Sequence, residues 1–209
     1  MNRELSKDPY NIIITGVGGQ GNVMASRVLA NMMAGKGFYI TIGETFGASQ
    51  RGGSVMSHIR LSARSIWSPQ IPKGRADLIV GLEPLESIRV LKVYGNEEVK
   101  ALTNSRPIYP TGVIAGEMIY PTLDELERMI KSLTASAWFV NATEEAMKLG
   151  NPIFSNIIMI GAMAAIDDLP LRRDDFGQSV LEALPQSKLE VNLKAYDIGT
   201  ELMKAQLSL

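Results

Sequence analysis

The passage that most constrains this chain is Asn11-Ile12-Ile13-Ile14-Thr15, then Gly16-Val17-Gly18-Gly19-Gln20-Gly21, then Asn22 to Ala34. A short apolar run rich in β-branched residues suits a central parallel strand buried on both faces. In the third piece Ala25, Val28, Leu29 and Met32 fall at i, i+3, i+4 and i+7, the stripe of an amphipathic helix. Gly35 and Gly37 stop that helix. Phe38 to Ile42 reads as a second strand, so the chain opens as a βαβ unit with a right-handed crossover. Between strand and helix the glycines match G-x-G-x-x-G. The first permits a tight turn, the second lets a ligand approach the backbone, and the third allows close helix–strand packing. The helix start then presents free N–H groups and partial positive charge to an anion, commonly a phosphate. The competing reading of the same turn is a tight βα connection set against a partner chain.

Further along, Ser54 to Leu61 reads as a third strand, Ser65 to Lys73 with Pro69 and Pro72 as a loop, and Asp77 to Leu82 as another buried strand. Pro84 opens a helix to about Val93, where its missing N–H costs nothing. Thr122-Leu123-Asp124-Glu125 is a capping-box sequence starting a helix to about Leu133. Ala137 to Val140 reads as a short strand and Thr143 to Leu149 as a short helix. The C-terminal third is helical in pattern: Ile153 to Ile166 is apolar nearly all round and belongs in the interior, and Asp174 to Leu184 and Leu189 to Gln206 are amphipathic. The expectation is an α/β fold: a single three-layer domain over 10–209 after a tail at 1–9, with a mostly parallel sheet, a Rossmann-like opening and a helical C-terminal portion.

Composition removes several kinds of function. Of 209 residues, 21 are basic and 22 acidic, so no basic excess points to nucleic acid. The strongly apolar stretch Ile157 to Ile166 is far short of the ~20 residues that span a bilayer, and the first ten residues lack the apolar core of a signal peptide. The chain therefore reads as soluble and cytoplasmic, with no nucleic-acid or membrane partner. With no cysteine and one histidine, His58, it has no thiolate nucleophile and no usual iron–sulfur ligand set, and a zinc site could hardly be built. The reactive groups of whatever chemistry it serves are expected elsewhere, with no catalytic residue and no metal ligand of its own. The 11 methionines read as adaptable core filling.

The candidate binding residues are Gly16, Gly18, Gly19, Gln20 and Gly21 in the first turn, then Glu44, and then Gln50, Arg51, Gly52, Gly53 and Ser54. A dinucleotide site needs an acid about 20 residues beyond the glycines, at the end of the second strand. Glu44 follows Gly43 and reads as part of a loop past the strand end, which makes a free-standing dinucleotide-binding protein the second choice. Arg51 beside two glycines offers a planar fork of donors to phosphate or carboxylate, or is simply solvated ahead of the third strand. His58 reads as a structural histidine within the sheet, Asp167-Asp168 and Arg172-Arg173 as a solvated turn, and Trp67 and Trp138 as packing or interface residues.

Together these segments resemble the gamma subunit or domain of 2-oxoacid:ferredoxin oxidoreductases, and among them most nearly the indolepyruvate type. The resemblance rests on Gly16 to Gly21 with Ala25-Ser26-Arg27, and on Gly43-Glu44 with Ser49-Gln50-Arg51-Gly52-Gly53-Ser54-Val55 and Ser57-His58-Ile59-Arg60. It continues through Ala76-Asp77, Leu82-Glu83-Pro84-Leu85-Glu86, Pro107-Ile108-Tyr109-Pro110, Tyr120-Pro121, Asn156 to Ala162 and Asn192 to Tyr196. Phe46 stands where the indolepyruvate type often has His, which leaves the particular 2-oxoacid open. The resemblance implies oxidative decarboxylation of a 2-oxoacid with coenzyme A as co-substrate, electrons passing to ferredoxin. It implies thiamine diphosphate and iron–sulfur clusters in a partner subunit, and a role for this chain in coenzyme A handling and subunit contacts. An isolated chain would then be inactive. A weaker third possibility is an interface subunit that binds no ligand.

Overall fold

Strand β1 (Tyr10–Val17) is buried along its whole length, as its unbroken apolar run requires. The computed structural model describes residues 5–45 and 53–208; Phe46, Gln50, Arg51 and Gly52 lie outside them. Helix α1 (Asn22–Ala34) follows the glycine turn, and β2 (Tyr39–Thr45) and β3 (Ser54–Ser62) come next. Then come β4 (Leu78–Gly81), α2 (Pro84–Tyr94), β5 (Lys100–Asn104), the one-turn helix α3 (Thr111–Ile114), α4 (Leu123–Ser132), β6 (Ser136–Val140) and α5 (Ala142–Lys148). A 3-10 turn at Pro152–Phe154 leads into α6 (Ser155–Ala165), α7 (Arg173–Ala183) and α8 (Leu189–Leu207).

The six strands form one sheet in the order β2-β3-β1-β4-β5-β6. Strand β3 is antiparallel to both β1 and β2, whereas β1, β4, β5 and β6 pair in parallel. Five strands therefore run one way and β3 the other, so the sheet is mostly parallel. The opening βαβ unit is present, but its two strands are not neighbours, because β3 is inserted between them. The expected loop at Glu44 is also corrected: Glu44 lies within β2, opposite Ser57. Strand β5 was not expected; Lys100-Ala101-Leu102-Thr103-Asn104 is too short and weakly β-branched to signal itself, yet it sits between β4 and β6.

Alternate residues of β1 feed two cores. Ile12 and Ile14 pack with α1, α6, α7 and α8 on one face, and Ile13 with α2 and α4 on the other. Helix α6 is buried from Ser155 to Met163, as its all-round apolar pattern requires. It packs backbone to backbone on α8: a Cβ at Gly161 would stand 2.0 Å from Tyr196 O, and one at Gly199 would stand 1.9 Å from Ile158 O. The capping box at Thr122 forms as read, with Glu125 N–H donating to the Thr122 hydroxyl and Thr122 N–H to Glu125.

Of the acidic pair after α6, Asp167 is exposed as the sequence suggested, but Asp168 is not simply solvated. Asp168 accepts from Tyr10 Oη at 2.9 Å and from Lys100 Nζ at 2.6 Å, tying β1 and β5 to the C-terminal helices. Residues before β1 are also held down: Leu5 packs on the core, and Lys7 bridges Asp77 and Glu98. Among the described residues no helix is long and apolar enough to cross a membrane.

Candidate functional site

Helix α1, which leaves β1, covers one face of the sheet, and α2, which leaves β4, covers the other. The crevice between the carboxyl ends of β1 and β4 is where open α/β sheets receive ligands. A cleft of about 740 Å³ opens beyond the carboxyl ends of β1 and β5, lined by Val17 to Gln20, by Arg106 to Ile108, by Thr143, and by Asn151, Pro152, Ile153 and Ser155 ahead of α6. That volume is within the range of small-ligand sites. Among the described lining residues there is one guanidinium, Arg106, and no carboxylate. Arg106 is exposed. Sequence reasoning missed it because no motif marks a lone arginine between a weak strand and two prolines.

The glycine turn is built by its own side chains. Gln20 is not free to hold a ligand: its Oε1 accepts from Val17 N–H at 2.7 Å, and its Nε2 donates to Leu82 O at 2.8 Å. It staples the end of β1 to the end of β4. Gly16 makes room for this staple, since a Cβ there would stand 2.5 Å from Gln20 Oε1. Gly18 donates its N–H to Gly53 O at 2.8 Å. Gly19 has φ 102° and is exposed, with open space where a Cβ would be. Gly18 therefore lines the cleft with its N–H already bonded, and Gly19 is the exposed glycine of the turn.

Gly21 does something other than the close helix–strand packing expected of a third glycine. Its φ is 83°, and a Cβ would stand 2.2 Å from Asn156 Nδ2. Asn156, on α6, donates to Gly21 O at 3.2 Å. The glycine thus lets α6 grip the start of α1. Asn22 is buried and donates to Val55 O at 3.1 Å, as does the Thr15 hydroxyl.

The described part of the second motif comes to the same place. Gly53 meets Gly18, and the Ser54 hydroxyl donates to the buried Glu86 carboxylate, which also accepts from Arg89. Gln50, Arg51 and Gly52, in the sequence just ahead of Gly53, fall outside the described residues. Glu44 is not brought to the turn. It pairs with Ser57, which pairs with Ile14, so two strand spacings, about 10 Å, separate it from β1. A ribose-binding acid needs its strand beside β1; here β3 occupies that position.

Beside the cleft lies a second buried carboxylate, Glu83, 1% exposed, at the start of α2. It accepts from Glu86 N–H at 2.9 Å, from Ile108 N–H at 3.3 Å and from the Tyr120 hydroxyl. Burial pushes its pKa up, and these donors pull against that shift. Asn104, fully buried, donates to Leu82 O and to the Thr143 hydroxyl, fixing the floor between β4, β5 and α5. His58 is structural, as read: Ile71 N–H donates to its Nδ1 at 3.2 Å, its ring meets Tyr94 edge-on, and burial lowers its pKa. Among the described residues no cluster of His, Asp or Glu could hold a metal ion.

Comparison with known proteins places these features. The family model described as pyruvate ferredoxin/flavodoxin oxidoreductase matches residues 11–202. Indolepyruvate oxidoreductase subunit IorB of Thermococcus kodakarensis is 33% identical over 201 residues, covering 96% of this chain and 98% of that protein. The gamma subunit of keto/oxoacid ferredoxin oxidoreductase from Geobacter sulfurreducens PCA shares the fold with a TM-score of 0.66 at 22% identity, covering 94% of this chain and 99% of that one. The 2-oxoglutarate:ferredoxin oxidoreductase of Magnetococcus marinus, solved with 2-oxoglutarate, coenzyme A and succinyl-CoA bound, gives 0.72 at 17% identity. There the match covers 96% of this chain and 32% of that one.

Proposed function

The chain belongs to the pyruvate ferredoxin/flavodoxin oxidoreductase family, and from that premise we propose that it is the non-catalytic but required small subunit of a 2-oxoacid:ferredoxin oxidoreductase of the indolepyruvate type. A partner subunit supplies thiamine diphosphate and iron–sulfur clusters, and electrons reach ferredoxin through that partner. The assembly works in the cytoplasm. This chain's part is to hold the phosphates of coenzyme A while the thiol reaches the partner's reaction centre. The observation that carries this reading is the cleft beyond the carboxyl ends of β1 and β5, where the exposed Gly19 backbone and the Arg106 guanidinium come together with no carboxylate among the described lining residues.

The chemistry follows from what each group can do. Backbone N–H groups beside a helix start and a guanidinium both favour phosphate oxygens. The sequence has no cysteine, and its one histidine is buried and bonded in the sheet. The chain therefore binds and orients, and the electron chemistry belongs to the partner's cofactors. Gln50, Arg51, Gly52, Gly53 and Ser54 are proposed as the second contact, to coenzyme A or to the partner. Gly53 and Ser54 support this by their bonds to Gly18 and Glu86.

The test is reconstitution. The complex purified with its catalytic subunit is expected to reduce viologen with an aryl 2-oxoacid and coenzyme A, and the chain alone to be inactive and free of iron and thiamine diphosphate. Calorimetry on the complex is expected to show coenzyme A binding in preference to NAD. Turnover by the chain alone, or NAD binding without coenzyme A binding, overturns the reading. Arg51→Ala is expected to weaken assembly or raise the KM for coenzyme A with the melting temperature unchanged. A buried charge contact there is worth about 2–5 kcal/mol, against about 0.5 kcal/mol for a solvated side chain.

A further inference from the structure

Between β5 and α4 the chain makes an excursion whose two ends are fastened to one buried group. Ile108 N–H and the Tyr120 hydroxyl both donate to Glu83 Oε1, so thirteen residues leave and return at a single carboxylate. The excursion is ordered by its own backbone. Helix α3 is closed by Gly116 at φ 78°, and the N–H groups of Glu117 and Met118 both return to Gly112 O. Tyr109 meets Tyr120 edge-on with ring centroids 5.1 Å apart.

This preorganised arm presents apolar side chains to solvent. Ile119 is 96% exposed, Ile114 77%, Met118 62% and Tyr109 54%, with Leu123 and Met129 continuing the patch onto α4. Alongside runs a groove of about 620 Å³ between Ile119, Pro121 and α4. At about 60–120 Å² per side chain, the exposed portions sum to roughly 220–430 Å². That is about a quarter to a half of the ~800 Å² each partner contributes to a standard interface. A patch of that size is comparable to the largest apolar patch of a typical monomer, which is often functional.

We infer that the arm 108–120 is the docking element for the catalytic partner subunit, held ready by Glu83 at the rim of the coenzyme A cleft. Position chooses this occupant. Arg106, Pro107 and Ile108 line the cleft and run directly into the arm, so the arm begins at the cleft's rim. A second copy of this chain would bring no thiol and only a buried histidine to a ligand whose thiol must react. The catalytic subunit would bring the reaction centre. The inference rests on the proposed subunit role and adds the face through which that role is exercised.

The test is Ile114→Ser combined with Ile119→Ser in the full chain, with Leu181→Ser on α7, 48% exposed, as a control away from the arm. Association with the catalytic subunit from the same source is measured by biolayer interferometry, with melting temperature and coenzyme A binding followed on the same samples. The double variant is expected to lose at least tenfold in affinity for the catalytic subunit, while the control and all melting temperatures match the wild type. Wild-type affinity in the double variant overturns the inference. So does a wild-type homodimer that becomes monomeric on substitution while association with the catalytic subunit is unchanged. If the wild-type chain itself fails to associate with that subunit, the subunit role falls and the docking face falls with it. Retained coenzyme A binding with lost association upholds the docking face.

Discussion

Gly21 and Asn156 should be energetically coupled, and the structure fixes how strongly. In Gly21→Ala the new Cβ would stand 2.2 Å from Asn156 Nδ2, so the amide must swing away. Two costs follow. Alanine at φ 83° carries about 1–2 kcal/mol of backbone strain. The displaced amide, buried and with its Oδ1 already lacking a partner among the described residues, loses its bond to Gly21 O, at about 1–3 kcal/mol. Gly21→Ala alone is expected to cost about 2–5 kcal/mol. Asn156→Ala alone removes the same bond without stranding the carbonyl, because Gly21 O still receives Ala25 N–H at 3.0 Å. That variant costs about 1 kcal/mol. In the double variant the clash has nothing to strike, so only strain and one bond are lost, about 2–3 kcal/mol. The two single effects sum to about 3–6 kcal/mol, which leaves a coupling of about 1–3 kcal/mol. Urea unfolding of the four proteins in the cycle measures it. Single effects that add to within about 0.5 kcal/mol would refute the claim that this glycine exists to admit α6.

Three other outcomes are expected. Arg106→Ala should leave the melting temperature unchanged, since the side chain is exposed, and raise the coenzyme A Kd of the assembled enzyme about 10- to 100-fold, as loss of a charge-assisted bond of about 1.5–3 kcal/mol implies; unchanged affinity by calorimetry removes Arg106 from the site. Gly19→Ala meets no atom but sits at φ 102°, so it should cost about 1–2 kcal/mol in urea unfolding while weakening coenzyme A binding; full affinity with the same stability loss would place the ligand away from this backbone. His58 is neutral in the fold because burial lowers its pKa below the ordinary 6.5. Between its folded value and 6.5 the unfolded chain binds more protons, so stability is fully present above 6.5 and is lost as pH falls through that window. His58→Asn, which keeps an acceptor for Ile71 N–H, should flatten the pH dependence of the urea midpoint below 6.5, and an unchanged slope would assign it to other groups.

What the sequence shows of this fold divides by the range of the interaction. Local signals were legible: the β1 apolar run, the α1 stripe, the Thr122 capping box and the all-apolar α6 each specify their own element. Pairings between distant segments were not. Nothing in Tyr39–Thr45 announces that Ser54–Ser62 will slip between it and β1, yet that insertion decides where Glu44 stands. It leaves Glu44 about two strand spacings from the turn and so removes the ribose clamp that the G-x-G-x-x-G spacing invites. The same holds for the site's side chains. Gln20 reads as a ligand contact until Leu82 O, 62 residues away, is seen to occupy its amide. Glu83, next to the helix-opening Pro84, carries no sign that Ile108 and Tyr120 will share its carboxylate. In each case a polar group adjacent to a motif is consumed by a long-range contact, and the one guanidinium among the described lining residues of the cleft is Arg106, which no motif announced. With its glutamine spent on holding its shape, the turn offers a ligand its free backbone groups, and the proposed phosphate contact rests on those. The wider family resemblance, carried by motifs spread along the chain, was therefore the stronger guide to function than any single residue.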